Sequence, residues 1–473
     1  MTADLDFGAL GFRCGIEIHQ QLDGRKLFCD CPVDIRKGDP QFVVRRRLRA
    51  SAGESGAVDA AAAHEQGKAK SFAYECYHDN VCLVELDEEP PHQVNRHALE
   101  AAVMFCRMVD AKVVDRVQVM RKVVIDGSNV SGFQRTMLIG RDGFVQVDGR
   151  RIVIESIYLE EESAQSVSRK RDVDTYNLSR LGIPLIEVQT GPDIRDPLEC
   201  RDVAAKIGML LRSTGACRRG IGSIRQDVNL SIKGGSRVEV KGFQDLRSIP
   251  KVIDAEIARQ LKVIRQGKKV ISEVRKAEPD LSTSFLRPMP GAARMYPETD
   301  IPPFVPDVDV SRIAQTIEQR LDVLAEMDIE VGIAKELVKQ DIVLSDFTSR
   351  FPSVDPKFIA EVLVVLPKEI RRKYGKDIDV LSHVDGLLQR VQEGKMSRSA
   401  VMEALVDIAH GRKVDFSRFE MVSDARIEDQ VREAMRKNPG VSQGALMGLV
   451  MAQLRGRVDG RKVKEIVDRV VGK

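Results

Sequence analysis

The side chains best suited to chemistry lie in a short stretch near the N-terminus, Gly15-Ile16-Glu17-Ile18-His19. Apolar and polar residues alternate there with the two-residue period of a β-strand. This period places Glu17 and His19 on one face, about 7 Å apart along the strand. A carboxylate and an imidazole so placed can hold a divalent cation together. Taken alone, a half-buried strand with a polar face is the simpler interpretation.

Further acidic residues occur in similar strand settings. They are Glu160, just after a predicted strand at 151–157, and Glu187, Asp227 and Glu239, each within a short strand-like segment. A carboxylate in an apolar strand is rarely buried unless it is paired or binds a metal. Several oxygen ligands and one imidazole suit Mg²⁺ or Mn²⁺. The nearby cations Lys122, Arg225 and Lys241 could then bind phosphate oxygens. For any single acid, a salt-bridged strand residue is the alternative.

A second candidate site is a set of cysteines in two local groups. The first group is Cys29 and Cys31, and the second is Cys76 and Cys82, with His78 between them. Four thiols could form a closed tetrahedral zinc site, in which His78 could replace one thiol. The spacing is not that of a standard zinc ribbon, and buried free cysteines are the alternative.

Two other segments could bind anions. The segment 125–135 is dense in Gly, Ser and Asn, including Ser128 and Asn129, and predicts a loop with free backbone N–H groups. It matches neither a Walker A loop nor a dinucleotide-binding fingerprint. Near the C-terminus, small residues at 444 and 448 share a helical face. Four basic residues follow: Arg455, Arg457, Arg461 and Lys462. This face could approach an RNA backbone closely, or it could pack against another helix.

Length and periodicity predict the elements that must position these residues. A chain of 473 residues is expected to form several domains. Short β-branched runs up to about residue 300, with helical patterns at 96–109, 197–213 and 250–265, predict an α+β fold with an antiparallel sheet. Pro302-Pro303-Phe304-Val305-Pro306 resembles a linker, and helical patterns follow it. We therefore predict a catalytic domain at 1–305, a helical domain at 306–410 and a helical tail at 411–473.

Composition and charge narrow the function classes. The net charge is only +3, but the tail from Gly411 carries 14 basic and 9 acidic residues, which suits a polyanion partner. No apolar run is long enough to span a membrane, and the N-terminus lacks the features of a signal peptide. Eight cysteines do not indicate a disulfide scaffold. We therefore expect a cytoplasmic protein.

Several long motifs resemble a known family. They are GIEIHQQL at 15–22, KLFC at 26–29, CLVELDEEPPH at 82–92, VMRK at 119–122, DGSN at 126–129, GFQR at 132–135, LEE at 159–161, LGIPLIE at 181–187, IRQDVN at 224–229, VEVK at 238–241 and MYPETDIP at 295–302. The chain resembles the B/E family of tRNA-dependent amidotransferase subunits, and within it the archaeal E subunits. The resemblance extends over nearly the whole chain.

The resemblance implies a two-step reaction. ATP phosphorylates the side-chain carboxylate of glutamate attached to tRNA(Gln), and ammonia then displaces the phosphate to give Gln-tRNA(Gln). We assign Glu17, His19 and Glu160, with Glu187, Asp227 and Glu239, to Mg²⁺. Of these, Glu17, His19 and Glu160 are also the expected catalytic residues, together with Lys241. Lys122 and Arg225 are assigned to phosphates, and Ser128 and Asn129 to the nucleotide or acyl pocket.

The resemblance also implies partners. Ammonia would come from an asparaginase-like partner (the D subunit) or, alternatively, from an amidase-type partner (the A subunit), and homodimerisation within a heterotetramer is allowed. Archaeal E subunits carry an inserted domain that resembles part of an aspartyl-tRNA synthetase. Here only a few residues occupy its expected place between Arg265 and Arg275. The alternatives are a B-type subunit that also acts on Asp-tRNA(Asn), and a non-catalytic tRNA-binding scaffold.

Overall fold

The computed structural model describes residues 5–471, apart from 50–57, 59–62, 64, 65, 68, 244, 290–294, 310–314, 341, 420, 421 and 455–459. The chain divides into two compact units, Met1–Thr316 and Ile317–Lys473. The first unit contains the sheets and the second contains helices, so the α+β prediction is confirmed. The division into three domains stays a prediction.

The first unit contains fifteen strands among its described residues. In chain order they are β1 (Arg13–Gln21), β2 (Phe42–Arg46), β3 (Ser71–Cys76), β4 (Lys112–Val113), β5 (Val119–Val123), β6 (Phe133–Val147), β7 (Arg150–Glu161), β8 (Gln165–Arg169), β9 (Val173–Asn177), β10 (Pro184–Thr190), β11 (Ile224–Ser231), β12 (Val238–Lys241), β13 (Glu273–Ala277), β14 (Thr283–Pro288) and β15 (Met295–Pro297).

These strands form two sheets. The larger, eleven-stranded sheet has the order β14-β13-β12-β11-β1-β10-β7-β6-β5-β15, with β4 beside β6. All its neighbours are antiparallel except β12 and β13. The smaller sheet has the order β2-β3-β9-β8. Strand β1 therefore lies in the interior of the larger sheet, with β10 on one side and β11 on the other.

Three helices cover the apolar side of the first unit: α1 (Arg96–Met108), α2 (Pro197–Ser213) and α3 (Ser248–Arg265). These elements agree with the predicted helices to within two residues. Helix α2 begins at a cap in which Asp196 accepts the backbone N–H groups of Leu198 and Glu199. The alternation predicted for β1 is present: Ile16 and Ile18 are buried in the core with these helices.

The segment predicted as a linker belongs to the first unit. Phe304 and Val117 exchange two backbone hydrogen bonds, of 2.8 and 3.1 Å. These bonds attach the Pro302–Pro306 region to the start of β5. The boundary between the two compact units comes later, after Thr316.

Among its described residues the second unit contains no strand and is built from helices. They are α4 (Ile317–Glu326), α5 (Val331–Lys339), α6 (Leu344–Arg350), α7 (Pro356–Ala360), a π-helical segment (Glu361–Val365), α8 (Leu366–Tyr374), α9 (Val384–Gln392), α10 (Arg398–Ala409), α11 (Asp424–Lys437), α12 (Gln443–Gln453) and α13 (Gly460–Val471). Two separate hydrophobic cores form within this unit, one from α4 to about residue 419 and one among α11, α12 and α13. No helix in the described part of the chain has the length and apolar character needed to cross a bilayer.

Candidate functional site

The register of the larger sheet brings the predicted acidic residues together. In β1, Glu17 lies opposite Asp227 of β11, and His19 lies opposite Glu187 of β10. Glu160 lies on the next strand, β7, opposite Leu185. Because side chains alternate along each strand, these residues share the face that points away from the helices. Glu160 lies inside β7 and not after it, because the strand continues to Glu161.

These side chains surround an open cavity of about 340 Å³, large enough for a small ligand. Its lining includes Glu17, His19, Lys122, Glu160, Glu187, Arg225, Asp227, Glu239 and Lys241, and also Arg180, Gln189, Arg237 and Arg287. All six residues predicted to bind a metal therefore lie at one site. So do three cations predicted to bind phosphate.

His19 is the residue that the acidic groups share. Its Nε2 atom lies 3.4 Å from Glu187 and 3.9 Å from Glu160. Two groups of potential ligand atoms, each within 4.8 Å, include this imidazole: one with Glu17 and Asp227, the other with Glu160 and Glu187. The buried Nδ1 atom of His19 has no hydrogen-bond partner among the described residues. A buried nitrogen without a partner is costly, so this donor set fits a divalent cation.

Burial and charge shift the pKa values at this cavity. Burial, with Glu187 nearby, raises the pKa of Glu17 to about 7. Burial also raises the pKa of Glu160, although Lys122 partly opposes the effect. At Glu187 burial acts in the same direction, but Lys122 and His19 outweigh it and hold the pKa well below its usual value. The nearby positive charges therefore do not neutralise all the carboxylates of the cavity, and a bound cation would supply additional positive charge.

The cations stand beside these acids. The Lys122 ammonium lies 2.8 Å from Glu160 and 3.8 Å from Glu187. Lys241 pairs with Asp227 at 2.5 Å and also with Glu239, and both acids raise the pKa of Lys241 against the effect of burial. The cavity thus contains both ligands for a hard cation and donors for phosphate oxygens.

Ser128 and Asn129 lie behind the residues that line the cavity. The hydroxyl of Ser128 donates to Asp126 at 2.6 Å. The buried side chain of Asn129 accepts a hydrogen bond of 3.0 Å from Ser163, which lines the cavity. The predicted loop is present, but neither side chain is part of the lining: Asn129 contacts the lining residue Ser163, and Ser128 contacts Asp126 and Asn129.

Gly127 fits this loop tightly against the smaller sheet, and its φ is +89°. A Cβ atom there would lie 2.1 Å from the ring of Phe72. We expect Gly127→Ala to lower the free energy of unfolding by about 2–4 kcal/mol, because overpacking adds to backbone strain. Gly132 is the matched control: its φ is +77°, but a Cβ atom would have no neighbour closer than 4.0 Å. Gly132→Ala should cost only about 1 kcal/mol in urea unfolding. Equal losses would contradict the packing argument.

The cysteine site differs from its prediction in one ligand. Cys29, Cys31 and Cys82 have sulfur atoms within 4.8 Å of one another and of a carboxylate oxygen of Glu85. Cys76 lies elsewhere, in the core of the smaller sheet, where its thiol contacts the carbonyl of Tyr74. The ring of His78 packs against Phe42 instead. The spacing Cys82-Leu83-Val84-Glu85 could have identified Glu85 as the fourth ligand, since two residues separate paired ligands in many zinc sites.

One of the three thiols, that of Cys31, has a lowered pKa. Neighbouring thiols of Cys29 and Cys82 lower the pKa of Cys31 to about 4, whereas that of Cys29 is raised. Glu85 accepts from the Cys29 thiol at 2.9 Å and pairs with the buried ammonium of Lys26 at 3.0 Å. A thiolate among three sulfurs and a carboxylate fits Zn²⁺.

In the tail, Arg455 and Arg457 lie outside the described residues. Arg461 and Lys462 are exposed on α13, and Lys462 pairs with Asp424 at 2.7 Å. Gly444 and Gly448 are exposed on α12, and a Cβ atom at either would have no neighbour within 4 Å. Close packing against another helix is therefore not what these two glycines provide in the described part of the chain.

The sequence prediction missed a pair of arginines, Arg121 and Arg135, on neighbouring strands β5 and β6. They alternate with Lys122 and Gln134, which line the cavity, and so lie on the opposite face of the sheet. Arg135 contacts Glu298 at 2.7 Å and Glu161 at 3.5 Å, and Arg121 also pairs with Glu298. It also missed Gln189, whose amide donates to Glu187 and accepts from Ser156 at 3.0 Å. The two-residue spacing from Glu187 could have identified Gln189 as a residue on the same face.

Comparison with known proteins identifies the family. The family described as the GatB/GatE catalytic domain matches residues 12–312. The E subunit of the Glu-tRNA(Gln) amidotransferase of Methanococcus vannielii is 33% identical, over 97% of this chain and 98% of the relative. The E subunit of Methanocaldococcus jannaschii is 32% identical, over 98% and 99%. That of Archaeoglobus fulgidus is 33% identical, over 98% of both chains.

The length of the first alignment agrees with the prediction that this chain lacks the inserted domain of the archaeal E subunits. It extends over 619 positions, whereas this chain has 473 residues, so at least 146 positions are gaps in this chain. The alignment nevertheless covers 97% of this chain, and the family match at 12–312 includes the positions of all the residues that line the cavity. The chain therefore belongs to the GatB/GatE family.

Proposed function

We propose that this chain is a ligase that uses ATP to activate the side-chain carboxylate of glutamate esterified to tRNA(Gln), and then amidates it with ammonia. The observation that carries the proposal is the single cavity in which His19 joins two acidic groups beside Lys122 and Lys241. The names of the relatives supply the substrate class.

The chemistry needs both kinds of residue. A carboxylate is a poor acyl donor, so one of its oxygens attacks the γ-phosphorus of ATP. The bond from this phosphorus to the bridging oxygen breaks, and ADP leaves with that oxygen. Ammonia then attacks the carbonyl carbon of the acyl-phosphate, and inorganic phosphate leaves. Lys122, Lys241 and Arg225 bind and neutralise the phosphate oxygens in this proposal.

The acidic residues are assigned to the cation that accompanies ATP. Glu17, His19 and Glu160, with Glu187 and Asp227, would hold Mg²⁺, which would neutralise charge on the phosphates. Glu239 orients Lys241 through their ion pair. The Nδ1 atom of His19 supports this assignment, because it is buried and has no hydrogen-bond partner among the described residues.

The acyl-phosphate intermediate reacts with water, so ammonia must arrive by a sheltered route. We propose that a partner subunit produces it within a heteromeric complex. An asparaginase-like subunit is the proposed partner, because the relatives in the comparison are E subunits; an amidase-type subunit is the alternative.

The decisive experiment measures γ-³²P transfer from ATP to Glu-tRNA(Gln) by the purified chain with Mg²⁺, without partner or amine. A labelled acyl-phosphate, or phosphate release stimulated by Glu-tRNA, is the expected result, and added ammonia should then yield Gln-tRNA. Turnover that requires the partner subunit would mean that assembly completes the site. No turnover under either condition would contradict the proposal and favour a tRNA-binding scaffold.

We also propose that Cys29, Cys31, Cys82 and Glu85 bind a structural Zn²⁺. The purified chain should contain about one zinc by elemental analysis, and Cys82→Ser should lose most of it, because three remaining ligands cannot close a tetrahedral site. Cys217→Ser is the matched control, since Cys217 is a half-buried thiol outside this set. Zinc content unchanged in Cys82→Ser would exclude the site.

A further inference from the structure

Strand β2 carries an unusual charge pattern at the edge of the smaller sheet. It pairs with β3 on one side only. Exposed side chains alternate with half-buried ones from Val43 to Arg49, so three arginines are exposed: Arg45 in β2, and Arg47 and Arg49 just after the strand ends. We call these three residues the arginine row. Arg46 points the other way and is held by the carbonyl of Leu86 at 2.8 Å.

The arginine row has no ion-pair partner among the described residues. No hydrogen bond or ion pair of these three side chains occurs within the part of the chain that the structure describes. Each member is two residues from the next, which allows at most about 7 Å between their Cα atoms. Three like charges at this spacing repel one another, and a ligand with regularly spaced negative charge would relieve the repulsion. Guanidinium groups suit phosphates because they can donate two parallel hydrogen bonds.

The opposite edge of the same sheet is also basic. Strand β8 ends at Arg169, and Lys170 and Arg171 follow, all three exposed. Both edges of this small sheet therefore present positive charge, although the whole chain has a net charge of only +3.

The smaller sheet is packed directly against the loop behind the cavity. The ring of Phe72 in β3 lies under Gly127. In β9, the hydroxyl of Tyr176 donates to the carbonyl of Asp126 at 2.7 Å. From this loop, Asn129 contacts Ser163, which lines the cavity. These contacts are made by the face of the smaller sheet that carries Phe72 and Tyr176. Arg45 lies opposite Ala73, on the other face, so the sheet itself separates a polyanion on the arginine row from this loop.

We propose that the arginine row binds the phosphate backbone of the tRNA whose aminoacylated end enters the cavity. This inference rests on the proposed function and adds to it a second RNA-binding surface, in the first unit and separate from the tail. The contact carries no base specificity, because arginines on phosphates position an RNA without reading its sequence.

The test measures the affinity of the full chain for uncharged, in vitro transcribed tRNA(Gln) as a function of salt, by fluorescence anisotropy. Three lost phosphate contacts should make the slope of log K against log salt shallower by about two to three units in the variant R45Q/R47Q/R49Q. The single variant Arg47→Gln should change the slope by about one unit, and it keeps the test available if the triple variant fails to fold.

The matched control R96Q/R107Q/K112Q removes the same charge from exposed residues of α1 and β4. Its slope should equal that of the parent. Equal changes in both triple variants, an unchanged slope in the arginine-row variants, or a parent that does not bind this tRNA would each overturn the inference. So would normal tRNA binding with loss of the ammonia-producing partner in gel filtration, which would make the row a protein interface.

This assay is independent of catalysis. A parent that binds tRNA but transfers no phosphate from ATP would contradict the proposed function and leave the arginine row supported. A parent that transfers phosphate normally, with the same salt slope as the variants, would do the reverse.

Discussion

His19→Ala should reduce phosphate transfer from ATP to glutamyl-tRNA by about 10²- to 10³-fold, which is the scale for losing one preorganised electrostatic partner of the transition state. The loss is expected because His19 belongs to both acidic groups of the cavity, so its removal disrupts each of them. Affinity for tRNA should change little. Single-turnover transfer of γ-³²P and anisotropy with tRNA(Gln) measure the two effects separately.

Two further variants sharpen this prediction. Glu160→Gln retains the shape of the side chain but removes the charge beside Lys122, and it should show a comparable loss. His92→Ala is the matched control, since His92 is an exposed histidine that pairs only with exposed Glu89 among the described residues. Transfer at the parental rate in both His19→Ala and Glu160→Gln would remove these residues from the mechanism.

Glu298→Ala should produce the largest loss of stability, about 3–5 kcal/mol in urea unfolding, because removing one partner of a buried ion pair leaves uncompensated charge. Glu298 is buried and holds the guanidinium groups of both Arg121 and Arg135. Asp300 provides the matched control: it contacts the same Arg121 at 3.1 Å but is 47% exposed. Asp300→Ala should cost less than about 1 kcal/mol, and similar losses in the two variants would contradict the prediction.

The ion pairs of Glu298 also predict that the free energy of unfolding depends on pH. Burial alone would raise the pKa of Glu298, but hydrogen bonds from Arg121, the Asp300 amide and Arg135 outweigh it and hold the pKa at about 2. The stabilisation is therefore complete above the unfolded-state pKa of about 4.5 and disappears as pH falls towards 2. Unfolding of the parent and of Glu298→Ala at pH 7 and at about pH 3 should show the difference between them shrinking.

Individual strands and helices of this structure could be predicted from the sequence. The alternation at Ile16, Glu17, Ile18 and His19 gave the strand and its polar face, and the three helical patterns of the first unit match α1, α2 and α3. These features depend on periods of two and 3.6 residues, which any single sequence displays. The choice of Glu187 followed from the cost of burying a carboxylate in an apolar strand. Glu160 and Asp227 were chosen because they follow or lie within predicted strands.

The convergence of these residues could not be predicted by residue pattern alone. Glu17 and Asp227 are 210 positions apart in the chain, and only the β1–β11 register places them side by side. The fourth member of the cysteine site was missed for a different reason. Thiols and imidazoles are the usual ligands of structural zinc, so the carboxylate of Glu85, three residues after Cys82, was passed over. The arginine row was visible as four arginines among the five residues 45–49, but the total charge of the chain concealed it.

The position of the connection between α3 and β13 has a consequence for the history of this family. The resemblance places the additional residues of the archaeal relatives in this connection, at 266–272, where Gly267 has open space around it and Ile271 is exposed. β13 is the second strand from the end of the larger sheet, whereas β1 is interior. Lengthening a surface loop costs free energy only slowly, and it shifts no residue of β1, β10 or β11 in register. Whole segments can therefore be gained or lost there over evolutionary time without moving the strands that carry the cavity residues.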